Sequence, residues 1–128
     1  MMKLTKLWLP VFIWAGLVYF MSSIEQLSTG WGVYDLILRK LAHISEYFVL
    51  VALLYRALKD TFSKLTPFYL FAISFTASFL YAVSDEIHQL YVFGRSCSSR
   101  DLAFDTLGII IFFITLKFRK AKGADNVY

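Results

Sequence analysis

At 128 residues, 59% hydrophobic and only 17% charged, the chain has room for one domain and falls well below the roughly 25% charge of an ordinary soluble one. Its net charge of +4 and pI near 9.2 do not indicate nucleic acid, because the basic residues stand beside apolar runs, where Lys and Arg set the orientation of membrane segments. The one cysteine, Cys97, excludes an internal disulfide framework and reads as a small loop residue rather than a nucleophile.

Residues 7–24, LWLPVFIWAGLVYFMSSI, hold no charged side chain over 18 positions, enough for a helix to cross a hydrocarbon core about 30 Å thick. Lys3 and Lys6 ahead of the run also fit a secretory signal peptide. The run is long for such a signal, however, and FMSSIEQ offers no A-x-A cleavage pattern, so a retained first transmembrane helix is expected. Pro10 is placed in its opening turn, where a missing N–H removes no intrahelical bond.

The second run, 36–58, carries Arg39, Lys40, His43 and Glu46 in its first half. The third is cleaner: residues 65–84 are 20 uncharged positions between Lys64 and Asp85, with Ser63 or Thr66 available as a cap and Pro67 suited to a helix start, giving a span of about 66–90. In FGRSCSSRD, Gly94 predicts a turn, and Ser98 and Asp101 have capping-box spacing ahead of the last run. That run, 101–118, has Asp101 and Asp105 within its first two turns. Charged chain at membrane depth is tolerated only where it faces protein or water, so the charged ends of the second and fourth helices must meet inside a bundle. The expected fold is all-α: a polytopic four-helix transmembrane bundle forming one membrane domain over 1–128, with no internal repeat and no soluble domain.

Lys and Arg collect in cytoplasmic loops. Four spans put Lys3, Lys6, Arg56, Lys59, Lys64, Lys117, Arg119, Lys120 and Lys122 on one side, nine in all, and Arg39, Lys40, Arg95 and Arg100, four, on the other. Both termini are therefore expected in the cytoplasm of a multi-pass cell-membrane protein. His43, Glu46, Asp85, Glu86, His88, Gln89, Arg95, Arg100, Asp101 and Asp105 then fall together at the outer face, although they come from three separate segments.

Residues three or four apart share a helix face. His43 with Glu46, Asp85 with His88 and Gln89, and Asp101 with Asp105 and Gly108 each form one polar edge, and Ser74, Ser78 and Ala82 extend the third helix's edge inward as a small-residue stripe. The glycine-flanked Trp31 in EQLSTGWGVYD is expected at the outer surface, anchored at the interface. Trp8, Trp14, Tyr34, Tyr47, Tyr55, Tyr69, Tyr81 and Tyr91 are read likewise as residues near span ends. The tail RKAKGADNVY is polar and expected to fray.

The elements KLAHISEY, SDEIHQLYVFGR and SSRDLAFDTLGIIIFF, in that order over residues 39–112, resemble the VanZ-like family, small bacterial membrane proteins named for a teicoplanin-resistance protein. Two positions depart from the family pattern: Phe93 stands where Pro is usual before Gly-Arg, and Asp105 where Asn is usual. The resemblance implies a membrane protein acting at the cell envelope, with membrane lipids and a lipid-linked cell-wall precursor or a lipoglycopeptide antibiotic as partners.

Three readings of the polar cluster follow. It ties helices together, with Arg95 or Arg100 against Asp101 or Glu86 and His43 against Asp85. It binds an anionic head group, precursor or drug through Arg95 and Arg100, whose guanidinium forks suit phosphate and carboxylate, with Asp85, Glu86, Gln89, Asp101 and Asp105 around them. Or it is the site of a membrane-embedded hydrolase or transferase, with His43, Glu46, Asp85 and His88 as acid-base groups or weak metal ligands. No cofactor is implied by any motif.

Overall fold

The computed structural model describes residues 2–24, 30, 32–95 and 97–123. They form four helices: α1 (Met2–Ser23), α2 (Val33–Thr61), α3 (Pro67–Gln89) and α4 (Ser99–Ala121), and there is no strand among the described residues. Trp31, the loop residues 25–29 and the tail beyond Gly123, all assigned from sequence, lie outside the described residues.

The helix starts follow local chemistry. At α3, Thr66 is extended (φ −70°, ψ 158°) and its side chain accepts from the Tyr69 backbone N–H, while Pro67 occupies the first turn, where no donor is needed. At α4, Ser98 is the N-cap residue, but its hydroxyl makes no capping bond, so the expected capping box does not form. The Glu86 carboxylate instead accepts from the Ser98 backbone N–H at 2.9 Å, tying the end of α3 to the start of α4. Between them the chain turns at Gly94, whose φ of +76° is a left-handed conformation that suits glycine, and Phe93 beside it is exposed. Pro10 corrects the sequence reading: α1 begins at Met2, so the proline sits two turns inside and leaves the Lys6 carbonyl without its usual i+4 donor.

The longest helix, α2, is the hub. It packs most extensively on α4 and also touches α1 and α3, whereas α1 packs only on α2 and α3. One core cluster joins Val18, Tyr47, Leu50, Val51, Ala82 and Ile109, and a second joins Tyr55, Leu58 and Leu70 nearer the other end. The small-residue stripe expected on α3 is buried throughout, at Ser74, Ser78 and Ala82, and Ser74 returns its hydroxyl to the Leu70 carbonyl at 2.6 Å. Gly108 is the corresponding close approach on α4. A Cβ there would lie 2.2 Å from the Ile44 carbonyl oxygen, so only glycine lets the two backbones meet at this height.

Several aromatic residues expected at the membrane interface are interhelical ties instead. Trp14 Nε1 donates to the Glu46 carbonyl at 2.9 Å, Tyr81 Oη donates to the Ala15 carbonyl at 2.6 Å, and Tyr47 and Tyr55 are buried. Their positions were read from distance along the chain, but the helix faces that meet, α1 on α2 and α3 and α2 on α3 and α4, decide their burial. Tyr81→Phe removes one such bond and is expected to lower unfolding stability in detergent by about 1 kcal/mol, the net worth of a typical hydrogen bond. Thermal unfolding of the two proteins side by side checks this.

The outer surface is apolar. Phe12, Ile13, Phe20, Phe68, Leu80, Ile114 and Phe118 are all exposed. Residues Lys3–Ser23 and Pro67–Gln89 are each long and apolar enough to cross a bilayer by length and composition.

Candidate functional site: a buried carboxylate and imidazole cluster beneath a basic cleft

The C-terminal ends of α1 and α3 and the N-terminal ends of α2 and α4 come together at one end of the bundle, which brings the separate polar segments into one neighbourhood. His43 on α2 is buried, and its Nδ1 lies 2.7 Å from Oδ1 of Asp105 on α4, which is wholly buried. His43 thus pairs with Asp105 rather than with Asp85. Asp85 is also buried but accepts from Gln89 Nε2 on its own helix at 3.2 Å, one turn on.

The polar edge expected on α3 is split. Gln89 and Asp85 face the interior, whereas His88 turns to α1, where Nε2 sits 3.0 Å from Ser23 Oγ and the ring lies 4.3 Å, centroid to centroid, from Tyr19. Positions 88 and 89 lie about 100° apart around a helix of 3.6 residues per turn. With α1 on one side of α3 and α2 with α4 on the other, the two residues meet different neighbours. The proposed quartet of His43, Glu46, Asp85 and His88 is therefore not assembled as one group.

Three buried carboxyls retain an oxygen with no hydrogen-bond partner: Oδ1 of Asp85, Oε1 of Glu86 and Oδ2 of Asp105. A buried carboxylate oxygen without a partner is costly unless a proton or a cation neutralises it. Asp85 is also near enough to Asp105 and Glu46 for their charges to repel.

Above this cluster lies a polar cleft in two connected parts. The inner one, of about 180 Å³, is lined by His43, Glu46, Gln89, Arg39 and Arg95; the outer one, of about 210 Å³, shares Arg39, Gln89 and Arg95 and adds Lys40, Arg100 and Asp101. Arg95 is held by two carbonyls at the end of α1, with Nε donating to Ile24 at 3.1 Å and Nη2 to Met21 at 3.3 Å. It thus caps α1 rather than pairing with Asp101 or Glu86. Asp101 pairs with Lys40, whose ammonium also lies 4.9 Å from the centre of the Phe104 ring, while Arg100 is exposed at the rim.

Sequence reasoning counted Arg39 and Lys40 among the charges at the outer end of the second helix but did not name them as site residues, and so missed their place in the cleft. Their spacing from His43, four and three residues, puts all three on one face of α2 and was the available signal.

Four helices with many apolar side chains on the outside and charged ends that converge beside a basic cleft define a small all-helical protein. The family model described as VanZ/LLP1 matches residues 7–120, and the chain belongs to this VanZ-like family. Membership and the two apolar helices together point to a membrane protein. No curated protein and no solved structure matches the chain.

Proposed function

We propose that this chain is a multi-pass membrane protein, both termini cytoplasmic, whose basic cleft binds the phosphate-bearing head group of an envelope lipid or lipid-linked cell-wall precursor at the outer leaflet. The observation that carries this reading is the gathering of Arg39, Lys40, Arg95 and Arg100 around one cleft. Guanidinium forks suit phosphate oxygens, and a ring of cations concentrates anions at the site. The exposed apolar surface of α1, α3 and α4 supports insertion, since patches of this kind on a monomer require a covering partner and hydrocarbon tails supply one. The excess of Lys and Arg at the opposite end of the bundle supports the orientation. A lipoglycopeptide acting on the same precursor would meet the protein at this face, which connects the reading to the resistance role for which the family is named.

Arg100 gives the cleaner test, because Arg95 also holds the end of α1. Full-length protein in nanodiscs is expected to bind a polyprenyl phosphate, and Arg100→Ala to weaken that binding about tenfold, the effect of losing roughly 1.4 kcal/mol from one charge-assisted contact. Equal binding of the uncharged polyprenyl alcohol would sink the head-group reading. An unchanged teicoplanin susceptibility in a deletion strain would remove its antibiotic part.

A further inference from the structure

We propose that His43, Glu86 and Asp105 form a binding site for one divalent first-row transition ion, with zinc or manganese as the fitting class. The three residues come from three different helices, and each offers a ligand atom within 4.8 Å of the other two. Ligand atoms around a tetrahedral zinc ion sit at about 2.0–2.2 Å from it and hence about 3.4–3.6 Å from one another, so side chains at the 4.8 Å limit would close by a little over an ångström to complete the set.

The burial and bonding of these residues supply the independent argument. Glu86 is 2% exposed and Asp105 0%, yet Glu86 Oε1 and Asp105 Oδ2 have no hydrogen-bond partner. Both residues already spend their other oxygen, on the Ser98 N–H and on His43 respectively. The Ser98 N–H orients the Glu86 carboxyl as an outer partner orients a metal ligand, whereas the His43–Asp105 contact lies between two of the ligands and is one that the ion itself would replace. The donor set of one imidazole nitrogen and two carboxylate oxygens suits a borderline divalent ion better than magnesium or calcium, which favour oxygen alone. Three protein ligands leave a coordination position for an outside group, and His43 also lines the inner part of the cleft. The ion would add positive charge under the basic rim, but the site stands on its own residues and does not depend on lipid binding.

The test uses full-length protein purified in detergent, stripped with chelator, and dialysed against Zn²⁺ or Mn²⁺ without added lipid. Elemental analysis is expected to find about one ion per chain, falling at least tenfold in Glu86→Gln and in Asp105→Asn while helicity by circular dichroism is kept. His88→Ala, on the α1 side of α3, is expected to retain the ion. Metal-free wild type would overturn the proposal and mean that protons hold the carboxyls neutral; undiminished metal in the two carboxylate variants would overturn it equally. Should either variant unfold, Cu²⁺-loaded wild type decides, because pulsed electron paramagnetic resonance must show coupling to a single imidazole, and either none or two refutes the assignment. Since no lipid is present, failure here leaves the head-group reading untouched, and failure of the Arg100 experiment leaves this one untouched.

Discussion

Gly108→Ala is expected to be among the most destabilising single-methyl changes available in this protein. The added Cβ meets the Ile44 carbonyl oxygen at 2.2 Å, and its nearest neighbours are all backbone atoms of α2, so no side chain can rotate away to make room. The helices must separate by about an ångström at this point of the α2–α4 contact. Overpacking of this kind costs about 1–3 kcal/mol, and a rigid backbone partner puts this case at the upper end. Asp105 lies one turn earlier on the same helix, so separation also stretches its 2.7 Å contact with His43. Thermal unfolding in detergent should show a clear fall in midpoint for Gly108→Ala, while Gly16→Ala, with nothing within 4 Å of the added carbon, should leave the midpoint close to wild type. Equal midpoints for Gly108→Ala and wild type would mean that α2 and α4 are not in close backbone contact.

Asp105→Ala is expected to be the most damaging substitution in the polar cluster. It leaves His43 Nδ1 buried without its partner, and breaking a buried pair by removing one member costs about 3–5 kcal/mol. Asp105→Asn keeps an acceptor oxygen of nearly the same shape and should cost far less. Unfolding measured in chelator, so that no ion contributes, should rank wild type and Asn together and Ala well below them. If Ala and Asn fall equally, the negative charge rather than the hydrogen bond to His43 is what matters at this position.

Much of the architecture was legible along the chain. Thr66 and Pro67 start α3, which runs on past Asp85 to Gln89, Gly94 turns the chain, and the charged ends of α2 and α4 meet at one end of the bundle as expected. Periodicity also identified the small-residue face of α3, since Ser74, Ser78 and Ala82 repeat every four residues and are all buried. The misplacements share one cause. Pro10, Trp14 and Tyr81 were placed by their distance from the edges of apolar runs, and such edges do not give the first residue of a helix or the face it turns to a neighbour.

Sequence by itself determined which residues are polar, at which end of each helix they stand and which of them share a helix face, because those properties follow from composition and the 3.6-residue turn. Pairing was decided only by the tertiary structure. Whether His43 meets Asp85 or Asp105 depends on α4 packing closer to α2 than α3 does, and that closeness rests on Gly108, a residue with no polar chemistry of its own. Likewise His88 and Gln89 are neighbours in sequence but serve different sides of α3, because α1 lies against one and the buried cluster against the other.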